Sequence, residues 1–299
     1  MSSFYKYLAS SRLDVIANRT LRFTQAGALN DPFELRPYFE QILDRDWLEA
    51  SIDAEPIDLR PSLKKMYAEL PVAQRRQRSE KQFLKFAEGH LRSNPQEYAQ
   101  TIAATKKQML DLVSGMAQWA RDEFYGAAGR LVGILSLSET AENHLMWSHY
   151  AEQHRGLVVE LDGENAFFDQ RRIPDDDHYV LRPVIYPNEH PRYKDLLHLD
   201  RNSVYLTKGR EWHYEREHRM TIPLSLHSPL DSDSLEPIYL LRYPPEALQS
   251  VTVGTRASDE MVERVQSVLR GDAELAHVSL NRAVLDSESG TISRVPVAG

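Results

Sequence analysis

Three short stretches hold most of the side chains in this chain that could do acid–base or binding chemistry: LNDPFEL (29–35), LSLSETAENHLMWSHYAEQHRG (135–156) and KGREWHYEREHR (208–219). The last is the sharpest. Extended backbone over 213–222 predicts Glu215, Glu217 and Arg219 on one face, with Tyr214, Arg216, His218, Met220 and Ile222 on the other. Same-face neighbours on a strand stand roughly 6.5–7 Å apart. Carboxylates at that spacing raise each other's proton affinity unless a cation intervenes, and Arg219 stands where it would intervene. Such a pair suits catalysis, one glutamate acting as base or cation stabiliser while the other orients substrate. On an open surface the same pattern is a salt-bridge ladder of little energetic value.

In LSLSE, Ser136 and Ser138 lie two apart, so a strand turns both hydroxyls to one side. They either hold a ribose, phosphate or carboxylate, or cap the turn into the next element. Helical spacing in the following stretch brings Asn143, Trp147, Tyr150 and His154 together, and likewise Leu145, His149 and Glu152. His149 and His154 stand five apart, which does not match the four-residue spacing of a two-histidine metal helix, so no metal is expected. Asn30-Asp31-Pro32 is turn chemistry: Asx side chains bond nearby backbone amides, and the residue before a proline leaves the helical region. Asn30 and Asp31 are therefore expected to build a rigid polar turn. The chain has no Walker loop, G-x-G-x-x-G turn, G-x-S-x-G elbow or H-E-x-x-H, and those enzyme classes lose their support.

These residues need elements to position them. FYKYLA (4–9), LRFTQ (21–25), RLVGILSLS (130–138) and LVVEL (157–161) read as strands. Further strands are expected in VLRPVIY, HRMTIPL, EPIYLLRY and SVTVGT, with HVSLNRAVLD as the last. SRLDVIANRT carries Leu13, Ile16 and Ala17 at helical spacing. A helix is predicted from Thr140 to Arg155, capped by Thr140 and closed by Gly156, and another over SDEMVERVQSVLRG. Residues 40–125 change character: charged, with alanine and leucine at three-to-four spacing, and broken at prolines 56, 61, 71 and 95. This is read as a helical insertion, with Arg75, Arg76 and Arg78 as a solvated face. Strands without regular βαβ alternation predict an α+β fold, a mixed or antiparallel sheet core with that insertion near the N-terminal half, in one domain over 1–299.

The 299 residues suffice to bury a core, and 41% hydrophobic with 27% charged residues is the balance of a folded chain. A net charge of −8 gives no overall pull toward nucleic acid or anionic membrane. The absence of cysteine removes disulfides, thiolate metal sites and cysteine nucleophiles together. The first residues, MSSFYKYLASSRLD, lack a signal-peptide pattern, and no run reaches the ~18 apolar residues of a membrane span. A cytoplasmic location is expected; ligand and partners are left open.

YKY, then LNDPFEL, then LSLSE…NHLMWSHYAEQHRGLVVEL, then EWHYEREHR resembles, in that order, the bacterial domain-of-unknown-function 2971 family. That resemblance implies a stand-alone cytoplasmic protein, sometimes associated with phage defence. Ser136-Leu-Ser138 followed by Glu215-Arg-Glu217 also resembles ADP-ribosyltransferases of the arginine–serine–glutamate type. This second resemblance implies NAD as candidate substrate, the serines at the nicotinamide ribose, Glu217 on the oxocarbenium-like transition state and Glu215 orienting the acceptor. The early basic residue would be Arg22, with Lys6 as an alternative. Tyr150 or Trp147 would stack on nicotinamide.

Two functional readings follow. In the first, Glu215 and Glu217 are catalytic, and Arg22, Ser136, Ser138, Trp147, His149, Tyr150, Arg155 and Arg219 hold substrate. In the second, the chain is a binding or sensing module in which Trp147, His149, Arg155 and Glu215 form a structural polar core tying helix to sheet.

Overall fold

Near-continuous apolar runs, FYKYL, GILSL and LVVEL, become neighbouring strands buried on both faces, as a central strand requires. The computed structural model describes residues 2–31, 33–41, 44–54, 56–230, 237–288 and 290–297. Pro32 of the expected turn lies outside the described residues.

The chain opens with β1 (Ser3–Leu8), α1 (Asp14–Ala17), β2 (Thr20–Gln25) and β3 (Tyr38–Phe39). Helices α2 (Arg45–Ala54), α3 (Arg60–Glu69), α4 (Val72–Arg75), α5 (Glu80–Ser93), α6 (Pro95–Gly115) and α7 (Ala117–Leu131) follow. Then come β4 (Val132–Ser138), α8 (His144–Tyr150), β5 (Leu157–Asp162), β6 (Leu181–Pro183), β7 (Arg192–Tyr193) and α9 (Arg201–Tyr205). The last part holds β8 (Glu217–Pro223), β9 (Tyr239–Arg242), β10 (Leu248–Val253), α10 (Asp259–Gly271), β11 (Ser279–Asp286) and β12 (Thr291–Pro296). The fold is α+β.

Two compact units divide the chain: Met1–Tyr38 with Tyr125–Pro191 and Asp200–Gly299, and Phe39–Phe124 with Arg192–Leu199. The second is helical. Pro61 and Pro95 sit in the first turns of α3 and α6, where a missing N–H costs nothing. Ser79 and Gln82 form a capping box that starts α5. Phe39, wholly buried, meets the rings of Phe124 and Tyr193 at 5.7 and 6.1 Å.

The first unit is built on a ten-stranded sheet in the order β12-β11-β10-β5-β1-β4-β2-β9, with β8 on the other edge of β4 and β6 beyond it. The β10–β11 pair is parallel, and β1–β4, β1–β5, β5–β10, β11–β12, β2–β4, β2–β9, β4–β8 and β6–β8 are antiparallel. Because β8 runs along the whole of one edge of β4, β1 and β2 must share the other. β1 meets it at Ser138, and β2 meets it at Gly133 and Ile134. The sheet therefore splits around Ser136.

Alternation along β4 and β8 sends Leu135, Leu137, Met220 and Ile222 into an apolar core with Val15 and Ile16 of α1 and Met261, Val265 and Leu269 of α10. Each such buried side chain contributes about 1.5–3 kcal/mol. Ser136, Ser138, Glu217 and Arg219 take the opposite face. A second apolar cluster on that side joins Tyr5, Tyr7, Val158 and Ala151 to Met146 and Trp147 of α8.

Several expected boundaries are corrected. The helix predicted from Thr140 to Arg155 is limited to His144–Tyr150. Asn143, rather than Thr140, caps it, its side chain accepting from the N–H groups of Leu145 and Met146. Its end comes early because Glu152, Gln153 and His154 adopt φ of 51°, 49° and 70°, a left-handed run. Gly156 is required for a different reason than a left-handed cap: a Cβ there would overlap the Leu8 carbonyl. Residues 213–215, expected to open the extended stretch 213–222, instead end a 3₁₀ turn over Arg210–Glu215, and β12 follows the strand expected to be last. No helix among the described residues is long and apolar enough to cross a membrane.

Candidate functional site

The polar face of β8 carries a cluster of buried charges. Arg216, at φ 45°, turns the 3₁₀ segment into β8, so Glu215 ends the turn and Glu217 begins the strand. Lys208 stands between the two carboxylates: its Nζ donates to Glu215 Oε2 at 2.6 Å and Glu217 Oε2 at 3.3 Å, with Glu34 Oε1 at 3.6 Å. Arg219 donates from Nε to Glu217 Oε1 at 2.8 Å, from Nη2 to Glu217 Oε2 at 3.0 Å and from Nη1 to the Tyr205 carbonyl at 2.9 Å. Its Nη2 also donates to Glu34. Lys208 further lies over the Trp212 ring, 4.7 Å from its centroid. Glu34, Lys208, Glu215, Glu217 and Arg219 are each at least 93% buried, so their pairing is not screened by water.

Tyr150, the last residue of α8, donates to Glu215 Oε1 at 2.6 Å and accepts from Asn30 Nδ2 at 2.7 Å. Ser138 Oγ donates to the Glu215 carbonyl at 2.6 Å. Helix, early turn and strand thus converge on one glutamate. The turn is held locally by Asp31, buried, whose Oδ1 accepts from the Phe33 N–H at 2.9 Å.

The two carboxylates of E-x-E titrate in opposite directions. Burial alone would raise Glu217, but Arg219 and then Lys208 outweigh it, helped by hydrogen bonds from Arg219 and Ser136, and hold it at about 2. Glu215 is pushed above the usual carboxylate range by burial and by Glu217, against the pull of Lys208. Burial also works to lower Lys208, yet Glu217, Glu34 and Glu215 together raise it, so it stays an ammonium. Burial and the bond to Glu215 raise the Tyr150 hydroxyl.

A cavity of about 230 Å³ opens onto this cluster where the sheet splits. Its walls include Lys6, Ser136, Ser138, Tyr150, Glu215, Glu217, Arg219 and Asn30, eight of the residues that the sequence points to. The others sit elsewhere. Trp147 is fully buried in the core, edge-on to Tyr7, with Nε1 donating to the Ala141 carbonyl at 2.7 Å. His149 and Arg155 are exposed. Arg22 lies on β2 opposite Leu240 and is not part of the cavity lining, its Nε buried without a hydrogen-bond partner among the described residues. The tie between helix and sheet runs through Tyr150, Glu215 and Lys208 instead of through His149 and Arg155.

Glu34 and Lys208 were not singled out, although both lie inside the chosen segments. A glutamate between Phe33 and Leu35 is the signal that could have flagged the first. Among the described residues, no group of three or more His, Asp or Glu side chains is arranged to hold a metal ion.

Residues 146–220 match the family described as Protein of unknown function (DUF2971). Neither the curated proteins nor the solved structures give a match. The matched stretch supplies Tyr150, Lys208, Glu215, Glu217 and Arg219, so the segment that builds most of the buried cluster is also the one that is similar to the DUF2971 family.

Proposed function

We propose that the chain is a cytoplasmic enzyme whose cavity cleaves a glycosidic bond, with NAD as the candidate substrate. The observation that carries this reading is the opposed titration of two buried glutamates in one cavity, the arrangement by which a site keeps one carboxylate charged and the other ready to exchange a proton. Glu217, fixed as an anion, is suited to stabilise positive charge developing on a ribosyl carbon. Glu215, with Tyr150 on its other oxygen, is suited to take or return the proton of the attacking group. Ser136 and Ser138 share the cavity wall, where the Ser136 hydroxyl, which hydrogen-bonds Glu217, can also accept from a sugar. About 230 Å³ accommodates a sugar or a ring, whereas whole drug-sized ligands occupy ~300–1,000 Å³, so the adenylate end would lie outside. An NAD-consuming activity would also fit the association with phage defence that the family resemblance implies.

A second reading is favoured by Arg219, which is 99% buried and engages Glu217, Glu34 and Tyr205 at once. In that reading the cluster is a structural core of a binding module, and the cavity holds a ligand without transforming it.

The test is nicotinamide release from NAD by the wild type, Glu215→Gln and Glu217→Gln. Release by the wild type, with a loss of about a hundredfold or more in both variants while they stay folded, supports the enzyme. No release, together with no thermal stabilisation by NAD or ADP-ribose, moves the assignment to the binding module.

A further inference from the structure

Two lysines line the cavity, and their surroundings differ. Lys208 is held among Glu34, Glu215 and Glu217, and remains a cation. Lys6 comes from β1, at the point where β1 and β2 part along β4. Its hydrogen bond goes to a neutral acceptor, the Ser136 carbonyl, at 2.8 Å. An ammonium there keeps two donor positions that a carboxylate would ordinarily fill. Burial lowers Lys6 to about 8: Glu217 and Glu215 pull it up, Arg12 and Arg22 push it down, and burial outweighs the glutamates.

We propose that Lys6 is the nucleophilic amine of this cavity and forms an imine with the carbonyl carbon of a small hydroxyaldehyde or an opened sugar. The amine nitrogen adds to the carbonyl carbon, giving a carbinolamine. The C–O bond then breaks and C=N forms. Both amine hydrogens leave with the carbonyl oxygen as water, and Glu215 with Tyr150 is the pair in the cavity suited to carry them. The hydroxyl-bearing Ser136 and Thr24 on the walls suit a polyhydroxylated chain. At neutral pH an amine near 8 holds about two orders of magnitude more free base than an ordinary lysine near ~10.4.

The inference rests on the cavity being a ligand site, as proposed above, and not on NAD being that ligand. The experiment therefore reads the amine directly. Full-length protein is treated with limiting glycolaldehyde and sodium cyanoborohydride, which reduces an imine to a stable secondary amine, and is mapped by peptide mass spectrometry. Lys6 should be alkylated about tenfold or more faster than any surface lysine, with Lys208 unmodified. Lys6→Arg, which keeps the charge and can still reach the Ser136 carbonyl, should remove that adduct while circular dichroism stays unchanged. Labelling of Lys6 at the surface rate, or none, overturns the proposal. An unmodified Lys6 together with pyrophosphate stabilisation that Lys6→Met abolishes would make Lys6 an anion anchor instead. Failure of nicotinamide release leaves the adduct readout intact, so the two proposals fail separately.

Discussion

Arg219 and Glu217 stand two residues apart on one strand and share two hydrogen bonds, Nε to Oε1 at 2.8 Å and Nη2 to Oε2 at 3.0 Å. Side chains at that spacing lie on the same face of the sheet, so β8 pairs its own charges before any other element arrives. Glu34 and the Tyr205 carbonyl then occupy what remains of the guanidinium. Removing Arg219 strands two buried carboxylates. Arg219→Met should therefore cost about 3–5 kcal/mol in urea unfolding. Arg219→Lys should recover only part of this, because an ammonium cannot reproduce the forked contact.

The pH dependence follows from Glu217. Its folded value, about 2, lies below the ordinary 4.5, so the native state favours the carboxylate. That contribution is fully present above 4.5 and is lost as pH falls toward about 2. Melting temperature should drop steeply over that window in the wild type. In Glu217→Gln the drop should be shallower, starting from a lower plateau. Parallel curves for the two proteins would contradict the assignment.

Glu215 behaves in the opposite sense. With its folded value raised, the native state favours the protonated form, so its contribution is present below the ordinary value and fades as pH rises through the folded one. Glu215→Gln keeps the shape, and Lys208 retains Glu217 and Glu34. The variant should melt within about 1 kcal/mol of the wild type at neutral pH, and any turnover should be abolished.

Tyr150→Phe deletes the hydroxyl that links Asn30 to Glu215 and leaves the ring in place. A loss of about 1–2 kcal/mol is expected in thermal or urea melts. Ligand affinity for the cavity should fall further than stability alone explains.

Gly254 is a structural control far from the charges. A Cβ on it would overlap the His154 carbonyl, which sits in the left-handed run after α8 and accepts from the Arg256 N–H at 3.0 Å. Backbone cannot retreat as a flexible side chain would. Gly254→Ala should lose about 1–3 kcal/mol, visible as a lower urea midpoint with an unchanged slope.

By itself, the sequence determined the periodic and local features. Apolar alternation placed β1, β2, β4, β5 and β8 within a residue or two, and helical periodicity placed the block of α2–α7, because such patterns are set by which side chains must leave water. Ser136 and Ser138 share a face for the same local reason, and Ser258 caps α10 as its position implies. Where the local signal was ambiguous, the tertiary structure decided. Asn143 displaced Thr140 as the helix cap, because Trp147 must reach the Ala141 carbonyl and fill the core. The helix could not continue to Arg155, since Gly156 has to approach the Leu8 carbonyl and the chain turns through three left-handed residues to do so. Glu34, distant in sequence from Lys208 and Arg219, joins them only through packing. The opposed protonation of Glu215 and Glu217 also lies beyond local reading, because it depends on where Lys208, Arg219 and Tyr150 stand in a buried site: the spacing E-x-E places two carboxylates, and low dielectric with unequal partners makes them different.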